Sequence, residues 1–295
     1  MPLPQLGELR ARLLQGAHQS TCPRLRAHRS VRGAQVGDLG AALPVAVLLG
    51  VAQPLRRLGE PPVDLAPGEA RVARLVAEAV AKEVLAKHPD LNVLVTMAGI
   101  MRIEDWHKPE SFLASAEAVL TTNVLGPIRL IAAFIEHLQA QPDATIITVS
   151  SGLAFAPLKV TPSYNASKAA IHMLSESIRL QLADTTVKVV ELEPPAVPTS
   201  LLPGQENSEY AMPLDEFVAE VVALLESQPD AKEIQVERVK FLRYGEARGD
   251  YDQVVETLNA RPTPTGSSFG QPRRRVAQLR DDGAATTSGK RLSVT

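Results

Sequence analysis

The hydrophobic positions of this chain switch repeatedly between two periods. Ala144–Val149 reads Ala-Thr-Ile-Ile-Thr-Val, a β-branched run that predicts a buried strand. Asn92–Val95, Val187–Glu191 and Leu43–Leu49 predict further strands, and Glu233–Phe241 a last one. Between them apolar residues recur at helical spacing. Val72, Leu75, Val76, Val80 and Val84 form one such row, closed by Pro89-Asp90. Val119, Val124, Ile128, Ile131, Phe134 and Leu138 form a second within Ser111–Leu138, where Pro127 should bend the helix. Ala166, Ala169, Ala170, Met173, Leu174, Ile178 and Leu182 form a third from Ser163 onward. Leu214–Glu226 and Gly245–Leu258 predict two more helices, after a polar stretch at Leu201–Met212. Strands alternating with helices predict an α/β fold.

Tyr164 and Lys168 fall at i, i+4 on the third helix, hence on one face of it. An ammonium placed there can lower a phenol pKa from its usual value of about 10 and make the phenol a general acid or base. Ser151 stands just upstream, where the strand Ala144–Val149 has ended, and could hold a carbonyl or alcohol oxygen beside the phenol. Strand ends and helix starts are where open α/β sheets bind ligands. These groups suit proton transfer at a carbonyl, but no side chain donates hydride, so the chemistry implies a nicotinamide cofactor.

From about Asp90 to Asn259 the chain resembles the short-chain dehydrogenase/reductase family. Thr96-Met-Ala-Gly99 stands where that family has Asn-Asn-Ala-Gly. Asn123, Ser151, Tyr164 and Lys168 match its catalytic tetrad, and Pro195-Ala-Val-Pro-Thr199 its Pro-Gly-x-x-Thr loop, with Ala196 replacing glycine. The resemblance implies a Rossmann-like, doubly wound parallel sheet and an NAD(P)-dependent oxidoreductase acting on a carbonyl or secondary alcohol. Tyr164 would be the general acid/base. Lys168 would lower its pKa and bind the nicotinamide ribose, Ser151 would orient the substrate oxygen, and Asn123 would hold a water in a proton relay. Ser150 is a competing serine, which spacing to the tyrosine disfavours. Cofactor contacts are expected from Ala98, Gly99, Asn123, Tyr164, Lys168, Val197 and Thr199, and from Asp64 at a strand end. The region of Leu201–Met212 is the family's mobile lid. The helix containing Asn123 forms much of the family's subunit contact, which implies a homodimer or homotetramer. NAD and NADP both remain open.

The N-terminal portion departs from that pattern. A strand followed by Thr-Gly-x-x-x-Gly-x-Gly, whose glycines let backbone approach a pyrophosphate at a helix N-terminus, is missing. The nearest imitation, Gly33 to Gly40, has the wrong spacing and follows an arginine-rich stretch. From Pro2 to Ala81 there is no Lys, Ile, Phe, Tyr, Trp, Asn or Met, unlike an ordinary globular segment. We therefore read 1–63 as an atypical, frame-shifted or replaced segment, with the βαβ start of the fold degenerate. Residues 64–260 are the Rossmann-like domain, and 261–295 a disordered tail of Pro, Gly, Ser, Thr and Arg. The missing glycine loop sets up an alternative: a catalytically incompetent, cofactor-poor protein that keeps the fold and an oligomer interface.

Totals narrow the rest. A net charge of −2 gives no reason to expect nucleic-acid binding. The lone Cys22 fits a reducing cytoplasm. No uninterrupted apolar run approaches the roughly 20 residues of a membrane span. The six histidines show no metal-ligand spacing, so no metal is expected. There is no Gly-x-Ser-x-Gly of a serine hydrolase.

Overall fold

The computed structural model describes residues 45–48 and 67–260. The 1–63 segment lies outside that range except for one strand, and Asp64 and the 261–295 tail lie wholly outside it. In chain order the elements are β1 (Val45–Leu48), α1 (Pro67–Lys87), β2 (Val93–Thr96), α2 (Pro109–Leu120), α3 (Gly126–Gln139), β3 (Ala144–Val149), α4 (Pro162–Gln181) and β4 (Val187–Glu193). They continue with α5 (Leu214–Ser227), β5 (Glu233–Gln235) and the shorter helices α6 (Lys240–Arg243), α7 (Gly245–Arg248) and α8 (Tyr251–Ala260).

The strands pair in parallel in the order β1-β2-β3-β4-β5. Parallel pairing demands a crossover between strands, which the helices supply. Because side chains alternate across a strand, Val93, Val95, Ile147 and Val190 enter one layer with Val218, Val221 and Leu225 of α5. Leu94, Ile146 and Val187 enter the other with Ala81 of α1 and Phe134 and Leu138 of α3. Burial on both faces is why these strands read as nearly continuous apolar runs.

Elsewhere the fold departs from the hydrophobic pattern. The buried face of α4 is Tyr164, Ser167, Lys168, Ile171 and Ser175, not the alanine row, and Met173 is 61% exposed. Hydrogen bonds replace apolar contact there: the hydroxyls of Ser175 and Thr148 lie 2.7 Å apart. The last predicted strand stops at Gln235 and turns helical from Glu237. The predicted terminal helix breaks at Gly249, whose φ of 79° lies in the left-handed region that favours glycine.

The helical stretch Pro109–Gln139 is continuous through a π-turn. Its 31 residues, with mean hydropathy 1.7 over the most apolar window, would be long and apolar enough to cross a membrane. This corrects the expectation drawn from uninterrupted runs alone. Val119, Leu130, Phe134 and Leu138 are buried in the protein core, so the inner face of this helix is already committed.

Candidate active site

The site gathers where β2, β3 and β4 end. Tyr164 and Lys168 lie on the first turns of α4, 6% and 5% exposed. Lys168 Nζ donates to the carbonyl of Val149 at 2.8 Å and lies 5.5 Å from the centre of the Tyr164 ring. Ser151 follows β3 in extended backbone and caps the short turn Gly152–Ala154. Its hydroxyl accepts the N–H of Leu153 at 3.1 Å and is hydrogen-bonded to the Tyr164 phenol. Gly152 follows it in close packing: a Cβ there would lie 2.8 Å from Leu242 Cδ1 and 2.9 Å from Val239 Cγ2, and those side chains would have to shift. Ser150 makes a backbone contact, donating its N–H to Leu192 at 3.0 Å. Its buried hydroxyl has no partner among the described residues.

Asn123 sits in the π-helical turn Thr121–Leu125, which joins α2 to α3. The helix irregularity expected from Pro127 is thus placed at a candidate functional residue, as π-bulges often are. The Asn123 amide accepts the N–H of Ile100 at 2.8 Å and donates to the Ile100 carbonyl and to Ser167 Oγ, both at 3.0 Å. Its side chain therefore locks the loop after β2 to α4. Ala98 and Gly99 open that loop, and a Cβ on Gly99 would lie 3.4 Å from Asn123 Oδ1. Val197 follows β4 and is buried beside Val149 in the α5 layer. Thr199 Oγ1 accepts the N–H of Leu201 at 3.4 Å.

The segment predicted as a mobile polar lid is anchored at both ends. Leu202 packs beside Tyr164 with Met101 and Val119, while Met212 donates its N–H to the Ala196 carbonyl at 2.8 Å.

Electrostatically the phenol behaves opposite to the sequence expectation. Burial pushes Tyr164 up to about 12, only partly opposed by the Ser151 hydrogen bond. The Lys168 ammonium is held on the Val149 carbonyl. Burial lowers Lys168 itself to about 8, against the pull of Glu191. At neutral pH the phenol is therefore a proton donor, and Lys168 is mostly charged. With Ser151 beside the phenol and Lys168 one turn on, the donor set fits the nicotinamide-ribose end of a dinucleotide. A loop for the pyrophosphate is not found among the described residues.

Sequence reasoning missed Glu104. This buried carboxylate accepts Trp106 Nε1 at 3.1 Å, Ser115 Oγ at 2.8 Å, and both the N–H and Oγ of Ser163 at 3.1 and 2.8 Å. Thr161, the residue before α4, makes no side-chain cap, so Glu104 satisfies the first turn from elsewhere in the chain. An isolated Glu in a loop carries no motif that could have signalled this.

The structure also gathers His172, Glu191, Glu193 and Glu233, with ligand atoms within 4.8 Å of one another. No local spacing could reveal a cluster drawn from three elements. Arg243 already meets two of its carboxylates, Glu193 at 3.6 Å and Glu233 at 3.3 Å, and Gln235 donates to both. Burial, then the Glu233 and Glu191 charges, pushes Glu193 up to about 8. A shallow cleft with about 450 Å³ of open space lies at the far end of the sheet, near Thr145, Lys188 and Gln228, away from this chemistry.

Known proteins share this arrangement of sequence and fold. The short chain dehydrogenase family profile matches residues 51–209, starting inside the compositionally odd segment. The uncharacterized oxidoreductase DltE of Bacillus subtilis (strain 168) is 39% identical over 187 residues, covering 62% of this chain and 73% of that protein. An uncharacterized oxidoreductase of Staphylococcus epidermidis is 27% identical over 151 residues, or 50% of this chain and 64% of that one. A short chain dehydrogenase from Burkholderia cenocepacia J2315, solved in complex with NADP, has a TM-score of 0.51 at 26% identity, covering 62% of this chain and 76% of that one. A short-chain dehydrogenase from Streptomyces avermitilis shares the fold, with a TM-score of 0.52 at 20% identity over 62% of this chain and 74% of that one. With a profile match over more than half its length and a Rossmann-like sheet to carry it, the chain belongs to the short-chain dehydrogenase family.

Proposed function

We propose that this protein is an NAD(P)H-dependent carbonyl reductase in which Tyr164 is the general acid. The carrying observation is the buried phenol, hydrogen-bonded to Ser151 and held protonated by its surroundings. A nicotinamide held by Lys168 would supply hydride to the carbonyl carbon. As the C=O π electrons move onto oxygen, the Tyr164 phenol gives that oxygen its proton, leaving a phenolate and an alcohol. Ser151 donates a hydrogen bond to the same oxygen and fixes its position. The Lys168 ammonium stabilises the phenolate and holds the ribose. Asn123 holds a water in the proton relay. Met101, Val119 and Leu202 around the phenol exclude water, strengthen these interactions and favour a substrate with an apolar body.

Titration with NADPH and NADH, read by fluorescence and melting temperature, tests the reading and chooses the cofactor. Saturation near micromolar concentration by one of them is expected. No binding up to millimolar overturns it in favour of a cofactor-poor protein that keeps the fold, the reading favoured by the missing glycine loop. Where turnover is measured, kcat should fall as pH rises through about 8, because Lys168, depressed to that value, loses its charge. A flat profile to pH 10 would exclude that role for Lys168.

The exposed row on α4 supports self-association. Ala166, Ala169 and Ala170 are exposed small residues beside Met173, and Leu180 is 79% exposed. Such a face admits a second helix closely. Sedimentation equilibrium should give a dimer or tetramer that Met173→Asp dissociates, and a monomeric native protein would sink the idea.

A further inference from the structure

Val187, Val189, Glu191 and Glu193 share one face of β4, since alternate residues of a strand point the same way. Two carboxylates thus enter the layer under α4, and both are fully buried. Gln235 and Arg243 answer Glu193. Glu191 is answered on one oxygen: its Oε2 takes the N–H of His172 Nδ1 at 2.9 Å. Its Oε1 is buried with no hydrogen-bond partner among the described residues. Leaving a carboxylate oxygen so is costly, and such groups are kept where their charge acts on a neighbour.

That neighbour is Lys168. It precedes His172 by one turn on the same face of α4, and its Nζ is tied to the Val149 carbonyl. Thr148, the residue before Val149, pairs with Glu191 across β3 and β4. Carboxylate and ammonium therefore lie beneath the same stretch of helix. We propose that Glu191, fixed by His172, is the buried counter-ion of Lys168, a positioning residue that keeps the ammonium charged at neutral pH. The consequence for catalysis rests on the reductase reading; the electrostatic coupling does not.

Burial depresses Lys168, and Glu191 is the charge that opposes it. The other titratable groups around Glu191 are His172 on α4, Glu193 on β4 and Glu233 on β5, with Arg243 on α6 against the last two. Arg243 is paired with Glu193 and Glu233, so Glu191 is left to Lys168.

The test is NMR titration of the full chain with ¹³C-labelled lysine, using Lys168→Arg to assign the resonance. Native Lys168 should titrate at about 8. Glu191→Gln should lower that midpoint by about 1 to 3 pH units, and an unchanged midpoint overturns the proposal. If this variant does not fold, His172 decides. His172→Leu removes the donor that holds the carboxylate and should lower the midpoint, whereas His172→Gln supplies an N–H and should restore it. Equal midpoints in the two overturn the proposal. Neither cofactor nor substrate enters this titration, so it can succeed in a protein that never binds NADPH. Should turnover also be measurable, the high-pH limb of kcat should move to lower pH in Glu191→Gln by the same interval.

Discussion

Tyr164→Phe should lower carbonyl-reducing turnover by about 10²- to 10⁴-fold, the usual worth of a positioned general acid. Phe keeps the ring that packs with Met101, Val119 and Leu202, so that packing survives. The loss is one hydroxyl and its bond to Ser151, about 0.5 to 1.5 kcal/mol of stability. Dinucleotide affinity should remain nearly native, because Lys168 keeps its place on the Val149 carbonyl. A variant with native turnover would remove Tyr164 from the mechanism. One that fails to bind the dinucleotide would show that the phenol serves binding rather than proton transfer. The two are separated by measuring kcat and the dissociation constant on the same preparation.

Glu104→Ala should cost about 3 to 5 kcal/mol of folding free energy. The carboxylate, 5% exposed, collects donors from the loop after β2, from α2 and from the first turn of α4. Removing it leaves the buried N–H and hydroxyl of Ser163 without their acceptor, and takes the acceptor from Ser115 Oγ and Trp106 Nε1 as well. It also takes a negative charge from the start of α4, where the helix dipole favours one. Glu104→Gln keeps an acceptor but brings N–H groups of its own against those donors, so it should fall between the two. Urea denaturation measures all three. A loss below about 1 kcal/mol in the Ala variant would mean that Glu104 is not the staple of this corner.

Much of the framework was legible because it is local. Strand Ala144–Val149 announced itself by β-branching, and Tyr164 and Lys168 by the i, i+4 spacing that any helix places on one face. The long helix through Asn123 and its irregularity near Pro127 could be read the same way. The buried side of α4 could not. Apolarity marked Ala166, Ala169, Ala170 and Met173 as inner, but the sheet-facing row is Tyr164, Ser167, Lys168 and Ser175, satisfied by hydrogen bonds that periodicity cannot register. The shortened β5 and the break at Gly249 were hidden for a related reason: an apolar run does not say where its backbone will turn.

The amino-acid sequence by itself determined the alternation of strand and helix, the order of the candidate groups along the chain and the kind of chemistry they suit. Those properties depend on neighbours within a few residues. The tertiary structure decided the charge states. Tyr164 stays protonated because burial outweighs its Ser151 hydrogen bond, and Lys168 is depressed against the pull of Glu191. It also decided that Glu104 and Glu191, distant in sequence from the groups they support, lie against α4. Desolvation and Coulomb attraction depend on separation in space, and only folding sets that separation.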